Sequence, residues 1–179
     1  KEQFGVTETY NTTREQIPED SYDVIFVVVR YTQIESVLDA LRSNRTKNIV
    51  FVGNNIRAKA LAELLPEKNV MFAFALSAGH RESDRVASID LKKITIGQLR
   101  NAGSNEKLIR EIFSGTKYRV VYEPNMEDYL LCHAAFVLPA AFACYKTDGN
   151  LKKLKGNTAY LNRLIDANIE LSGDPKCGT

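Results

Sequence analysis

Apolar residues run almost unbroken through two short stretches of the chain, and each stretch ends abruptly on polar residues. The first run is Tyr22-Asp-Val-Ile-Phe-Val-Val-Val-Arg30, and the second is Asn48-Ile-Val-Phe-Val-Gly-Asn-Asn55. Such runs are typical of parallel strands that are buried on both faces. Ligands of open α/β sheets bind beyond the carboxyl ends of the strands, so four polar residues are candidate ligand contacts: Arg30, Gln33, Asn54 and Asn55.

Helical periodicity follows both apolar runs. Residues 32–41 and residues 55–65 each place several aliphatic side chains on one helical face, as crossover helices do. A third apolar run covers residues 70–76 and ends the second crossover. The β-α-β-α-β order predicts a parallel, doubly wound sheet.

The following segment has the pattern of a sheet edge. Residues 86–89 and 94–96 predict two short strands of an antiparallel hairpin. Residues 105–113 predict a short helix, and residues 118–122 predict one more strand.

The pattern changes at Glu123-Pro124-Asn125, because the remaining chain is helical in period and poorer in β-branched residues. We therefore expect one domain over residues 1–124 and a second over residues 125–179. One helix is predicted from Asn125 to Tyr145, with a kink at Pro139, which has no backbone N–H to donate. A second helix is predicted over residues 158–170.

Composition and charge narrow the class of protein. A net charge of +2 with scattered basic residues gives no surface for nucleic acid. The three cysteines show no metal-ligand spacing, and their odd number argues against a complete set of intrachain disulfides, so a reducing cytoplasm is expected. No unbroken apolar run approaches about 18 residues, so we expect no membrane segment.

Three motifs in this order, YDVIFVVVRYTQ, IVFVGNN and DYLLCHAAFVLPAAFACY, resemble the ketopantoate reductase family (2-dehydropantoate 2-reductase, also called ApbA or PanE). The resemblance covers residues 4–170. It implies an NADP-dependent reductase of pantothenate biosynthesis with a Rossmann N-terminal domain and a helical C-terminal domain. The substrate would lie in the cleft between the domains, and the helical domain would permit a homodimer.

The resemblance also assigns site residues. The family commonly has a Lys after the first of these strands and a Gln three residues later, and Arg30 and Gln33 hold those positions here. Asn54 and Asn55 match the family's Asn-Gly pair after the next strand. Because Asn is the next best residue after Gly for positive φ, this pair is expected to form a turn beside the cofactor. A simple helix cap is the alternative for the asparagines, and a surface ion pair with Glu35 is the alternative for Arg30.

The chain departs from the family in three ways. It has no G-x-G-x-x-G fingerprint, so we expect a Rossmann-type sheet whose N-terminal part is missing from this chain, followed by the start of the helical domain. The position near the family's general-acid Lys is occupied by Leu130 and Leu131. The sequence also ends before the downstream Ser and Glu with which the family holds its substrate.

His133 is the nearest substitute for the missing Lys, because an imidazole titrates near neutral pH and can donate a proton. The simpler interpretation is a hydrogen-bonded packing residue on a mostly apolar helix. The expected function is NADP-dependent reduction of a 2-oxo acid, such as ketopantoate to pantoate. An opine-type or other 2-hydroxy acid dehydrogenase is one alternative, and a non-catalytic nucleotide-binding or scaffold protein that lost the Lys is another.

Overall fold

The structure, a computed structural model, describes residues 5–7, 21–82, 85–100 and 102–172. It divides into two units, Lys1–Met126 and Glu127–Thr179. The first unit is α/β and the second is helical, which confirms the predicted fold class. The predicted boundary after residue 124 lies two residues before the division, and the roles assigned to the two domains stay predictions.

One mixed sheet organises the first unit. Its strand order is β1-β5-β4-β3-β2, with β6 paired to β5. The pairs β2/β3, β3/β4 and β5/β6 are parallel, while β4/β5 and β1/β5 are antiparallel. The strands are β1 Gly5–Thr7, β2 Ile25–Val27, β3 Asn48–Val52, β4 Asn69–Glu82, β5 Arg85–Gly97 and β6 Arg119–Glu123.

The predicted hairpin between residues 86–89 and 94–96 is wrong. Both segments belong to the single strand β5, which pairs along its length with β4. The polar residues between them form an irregularity in the ladder, where Lys92 has a φ of 51°. For the same reason β4 continues to Glu82, well beyond the predicted end at residue 76. The long hairpin carries its own backbone hydrogen bonds, so its polar sequence does not end the strand.

Short helices connect the parallel strands. The predicted helix over residues 32–41 is instead two 3-10 turns, Tyr31–Gln33 and Glu35–Val37, followed by α1 Leu38–Ser43. The second crossover contains α2 Ala58–Glu63, which is shorter than predicted. Helix α3 Glu106–Ile112 and strand β6 lie where the sequence placed them.

The sheet core explains the unbroken apolar run of β3. Ile49, Val50 and Phe51 are all buried although their side chains alternate between the two faces, so both faces of β3 are covered. One face forms a cluster of Val50, Met71, Ala73, Ile94, Ile96 and Ile109. On β3 and β4 the rings of Phe51 and Phe72 stack with centroids 6.0 Å apart.

The second unit contains two long helices. Helix α4 Met126–Lys146 continues through Pro139, and α5 Thr158–Ser172 follows a 3-10 turn, Leu151–Leu154. Among the described residues, α4 alone has the length and apolar composition to cross a membrane. The sequence expectation considered only unbroken apolar runs, whereas α4 combines its apolar residues with isolated polar ones. A single such helix is weak support for a span.

The described cysteines differ in state. Cys132 is disulfide-bonded, Cys144 is a free thiol, and Cys177 lies outside the described residues. The cytoplasmic location stays a prediction.

Candidate functional site

The carboxyl ends of β2 and β3 lie side by side and form the candidate site. Val27 of β2 is the register partner of Phe51 of β3, so the residues that follow both strands emerge at one edge of the sheet. This edge brings the Arg30 and Asn54 segments together, as the sequence predicted from parallel pairing. We call these segments, residues 28–33 and residues 53–56, the carboxyl edge.

Arg30 and Gln33 are connected by backbone geometry. The Arg30 N–H donates to Oε1 of Gln33 at 3.1 Å, and the Gln33 N–H donates to the Arg30 carbonyl at 2.8 Å. These bonds close the turn directly after β2 and fix where the Arg30 side chain leaves the chain. No ion pair joins Arg30 to Glu35 in this described segment, so the guanidinium is available to an anionic ligand.

Gly53 makes the turn that was expected of the asparagines. Its φ is 132°, and its N–H donates to the Ala73 carbonyl at 2.8 Å. Neither Asn54 nor Asn55 has positive φ, so the predicted use of Asn in place of Gly is wrong. The turn occurs one residue earlier because only Gly adopts this φ without strain.

The two asparagines occupy different environments. Asn55 is buried, and its Nδ2 donates to the Gly53 carbonyl at 3.3 Å, which stabilises the turn. Asn54 is exposed at the edge. The alternative of Asn as cap of the next helix is also wrong, because Arg57 precedes α2 and no side chain caps it. Asn54 is therefore the better ligand contact and Asn55 the residue that holds the turn.

His133 lies on α4, in the second unit. Its ring is parallel to the Tyr129 ring, with centroids 6.3 Å apart. Burial lowers the pKa of His133 below its usual 6.5, so the imidazole is mainly neutral at pH 7. These features favour the packing interpretation, and its catalytic role stays a prediction.

Leu130 and Leu131, which the resemblance places near the position of the family's Lys, differ in exposure. Leu130 is 0% exposed and Leu131 is 47% exposed. A Lys at the depth of Leu130 would lose its hydration. Among the described residues, no cluster of three His, Cys, Asp or Glu side chains can hold a metal ion.

Apolar side chains at the carboxyl edge were missed by the sequence analysis. Val28 is 70% exposed, and Tyr31 and Ile56 are about half exposed. The sequence carries no signal for this exposure, because the apolar run continues to Val29, whereas β2 ends at Val27. Flat apolar contacts beside polar groups suit a ring such as nicotinamide, and the polar groups suit its ribose.

The side chains at the carboxyl edge suit one part of a dinucleotide better than the other. Gly53, Asn54 and the Arg30 guanidinium fit the nicotinamide and ribose half of such a cofactor, because they combine a close backbone approach with polar donors. The pyrophosphate normally lies on a Gly-rich turn at a helix N-terminus, and this sequence contains no such turn.

Comparisons with known proteins identify the fold. No protein-family model matches the chain, and no curated protein sequence matches it. The structure of 2-dehydropantoate 2-reductase from Porphyromonas gingivalis W83 is similar, with a TM-score of 0.64 and 14% identity, covering 84% of this chain and 54% of that chain. Dimeric ketopantoate reductase from Staphylococcus aureus has a TM-score of 0.60 and 17% identity, covering 79% and 52%.

A D-mandelate dehydrogenase in a ternary structure with NADH and anilino(oxo)acetate is also similar. Its TM-score is 0.61 at 14% identity, covering 90% of this chain and 61% of that chain. The present chain therefore spans 52–61% of the length of these three proteins. Over the part that it covers, the chain has the α/β and helical fold of the ketopantoate reductases.

Proposed function

We propose that the protein is a nicotinamide-nucleotide-dependent oxidoreductase that reduces a 2-oxo acid to a 2-hydroxy acid. The observation that carries this proposal is the carboxyl edge, where the exposed Arg30 and Asn54 follow neighbouring parallel strands. Ligands of open α/β sheets bind at such edges. The names of the similar structures support the same reaction class, since they include reductases of ketopantoate and an NADH-bound dehydrogenase.

The proposed cofactor is NADP and the first substrate to test is ketopantoate. When bound, the cofactor supplies the hydride that is added to the carbonyl carbon. Arg30 would pair with an anionic group of the cofactor or with the substrate carboxylate, and Asn54 would hold the nicotinamide ribose. The turn at Gly53 and Asn55 would keep these groups in place.

A different 2-hydroxy acid is the first alternative substrate. It is favoured by the likeness to D-mandelate dehydrogenase and by the two leucines, Leu130 and Leu131, near the position where the family has its Lys. The proposed proton donor in either reaction is His133, whose neutral imidazole would need a lower pH for full protonation. An opine-type dehydrogenase belongs to the same group of alternatives.

A non-catalytic nucleotide-binding protein is the second candidate function. The specific observation in its favour is the buried Leu130, because loss of the general acid with retention of the fold would leave binding without turnover. A homodimer and a cytoplasmic location remain part of the proposal. The dimeric enzyme from Staphylococcus aureus supports the homodimer.

The test is a fluorescence titration of the protein with NADPH and with NADH. Ketopantoate is then added, and in a separate assay phenylglyoxylate, the 2-oxo acid that corresponds to mandelate. Loss of the reduced-nicotinamide absorbance would support the reductase and identify the substrate. Saturable binding without turnover would favour the non-catalytic candidate. Absence of binding to both nucleotides would refute both proposals.

Comparison of one variant at the carboxyl edge with a control variant elsewhere makes the titration specific for this edge. Arg30→Ala is expected to weaken cofactor or substrate binding roughly 10- to 150-fold, because a charge-assisted hydrogen bond contributes roughly 1.5–3 kcal/mol. Lys107→Ala on α3 is the control, since it removes an equally exposed positive charge away from this edge. Equal affinities for the two variants would contradict the assignment of Arg30.

A further inference from the structure

A cavity of about 390 Å³ lies at the opposite end of the parallel strands. Two of its lining residues, Lys47 and Lys68, directly precede β3 and β4, whose first residues Asn48 and Asn69 are register partners. Since β3 has five residues, the amino end is roughly 16 Å from the carboxyl edge. We call this space the amino-edge cavity, and it is separate from the site of the proposed reaction.

Positive charge dominates the lining of the amino-edge cavity. Glu67 is the one acidic residue of its lining. Four basic residues also line the cavity: Arg42, Arg45, Lys47 and Lys68. The pKa of Lys68 is lowered first by burial and then by the neighbouring charge of Lys47, with Glu67 acting in the opposite direction. The cations are thus crowded enough to repel one another, and an anion placed among them would relieve that repulsion.

Two of the four cations are fixed by the fold. The Lys68 ammonium donates to the carbonyls of Asn44 and Thr46, the latter at 3.0 Å. Arg42 donates through Nε to the Leu64 carbonyl at 3.2 Å and through Nη1 to Asp39 at 2.7 Å. These contacts hold both side chains in position at the cavity wall and reduce the entropy that a ligand would have to remove.

The other two cations are not engaged by the protein. Arg45 and Lys47 are exposed, and their side chains form no hydrogen bond or ion pair within the segments that the structure describes. The Arg45 guanidinium and the Lys47 ammonium, beside the fixed cations Lys68 and Arg42, form a donor set suited to a phosphoryl group. Such a group accepts bidentate hydrogen bonds from Arg and single-charge contacts from Lys. The volume exceeds that of a phosphate alone and lies within the range of small-molecule sites.

We propose that the amino-edge cavity binds a phosphorylated small molecule through Arg45 and Lys47, with Lys68 and Arg42 as fixed supporting cations. The remaining lining residues include Asn44, Leu64 and Pro66, so the uncharged part of the ligand has both polar and apolar contacts. This site does not depend on the proposed reductase activity, and either can fail without the other.

The test is isothermal titration of the protein with inorganic pyrophosphate, at an ionic strength held constant with potassium chloride. The double variant Arg45→Ala/Lys47→Ala is compared with the control Lys107→Ala/Lys117→Ala, which removes two exposed positive charges outside the cavity. Because the side chains of Arg45 and Lys47 support no described contact, the double variant is expected to fold, and thermal unfolding without ligand verifies this.

Saturable binding that weakens at least about tenfold in the double variant, and less than about twofold in the control, would support the proposal. Absence of saturable binding by the wild-type protein would overturn it. So would equal weakening in the two double variants, which would indicate nonspecific charge attraction. Citrate serves as a second probe, and binding of citrate as tightly as pyrophosphate would overturn the assignment to a phosphoryl group.

Discussion

Tyr118→Phe removes one hydrogen bond from a charged cluster beside the irregular part of β5. Oδ2 of Asp90 accepts hydrogen bonds from the Tyr118 hydroxyl and from Nζ of Lys92, both at 2.6 Å. Oδ1 accepts from the Lys92 N–H at 2.9 Å, and this contact fixes the residue that has a φ of 51°. The cluster therefore joins β5 to the start of β6 through one carboxylate.

The magnitude follows from the pKa of Asp90. Hydrogen bonds from Lys92 and then from Tyr118 lower this pKa from 3.8 to about 2, against a smaller opposing effect of burial. The full shift corresponds to at most about 2.4 kcal/mol of folding free energy. The Asp90 side chain is 24% exposed, so solvent screening reduces the realised contribution to roughly 1 kcal/mol.

The pH dependence has a definite sign. A carboxyl group with a folded pKa below its unfolded value stabilises the fold above pH 3.8, and the stabilisation is lost as the pH falls through about 2. About half of it is lost by pH 3. Tyr118→Phe is expected to cost roughly 1 kcal/mol at pH 7 through the loss of one hydrogen bond, and measurably less at pH 3, where part of the Tyr118 contribution to the Asp90 pKa shift is already lost.

Urea unfolding at pH 7 and pH 3 measures this difference. Tyr31→Phe is the matched control, because Tyr31 is half exposed in the same unit and its hydroxyl has no described contact. The control is expected to change stability by less than about 0.5 kcal/mol at either pH. A Tyr118→Phe cost that equals the control, or that increases toward pH 3, would refute the argument for the Asp90 cluster.

Three further predictions concern packing and burial. Gly97→Ala should destabilise by at least about 2 kcal/mol in urea unfolding, because its Cβ would lie 1.7 Å from the Glu123 carbonyl oxygen, whereas Gly103→Ala has open space and should be near neutral. Met71→Ala should cost about 2–5 kcal/mol, since Met71 is fully buried in the sheet core, and a cost below about 1 kcal/mol would contradict that burial. Because burial lowers the pKa of His133, protonation below pH 6.5 should destabilise the wild-type fold, and its thermal stability should fall between pH 8 and pH 5. His133→Phe should remove this fall, and an unchanged pH profile in the variant would count against the burial effect.

The sheet was predictable where burial alone determines the pattern. The unbroken apolar run of β3 reflects coverage of both faces, and the periodicity of α3 reflects one covered face, on which Ile109 is buried. The long β4/β5 hairpin was not predictable in this way, because its outer part carries polar residues and is held by backbone hydrogen bonds between strands. The short length of β2 was also hidden, since Val28 is apolar but exposed.

The candidate site was predictable in location and less so in detail. Parallel pairing places the ends of β2 and β3 at one edge whatever their side chains, so Arg30 and Asn54 could be found from sequence. The positive φ of Gly53 was assigned to the asparagines that follow it, because Gly and Asn both favour turns and stand next to each other in the sequence. The burial of Leu130 and of the His133 ring depends on tertiary packing, which local sequence does not specify.

The most direct test of the proposed nucleotide site is backbone amide chemical-shift mapping during titration with NADPH. The account predicts that the largest shifts occur at residues 28–33 and 53–56, while the amides of Lys47 and Lys68 at the opposite end of the strands change little. Saturable NADPH binding with its largest shifts away from the carboxyl edge would contradict the proposed site, and absence of any shift would contradict nucleotide binding itself.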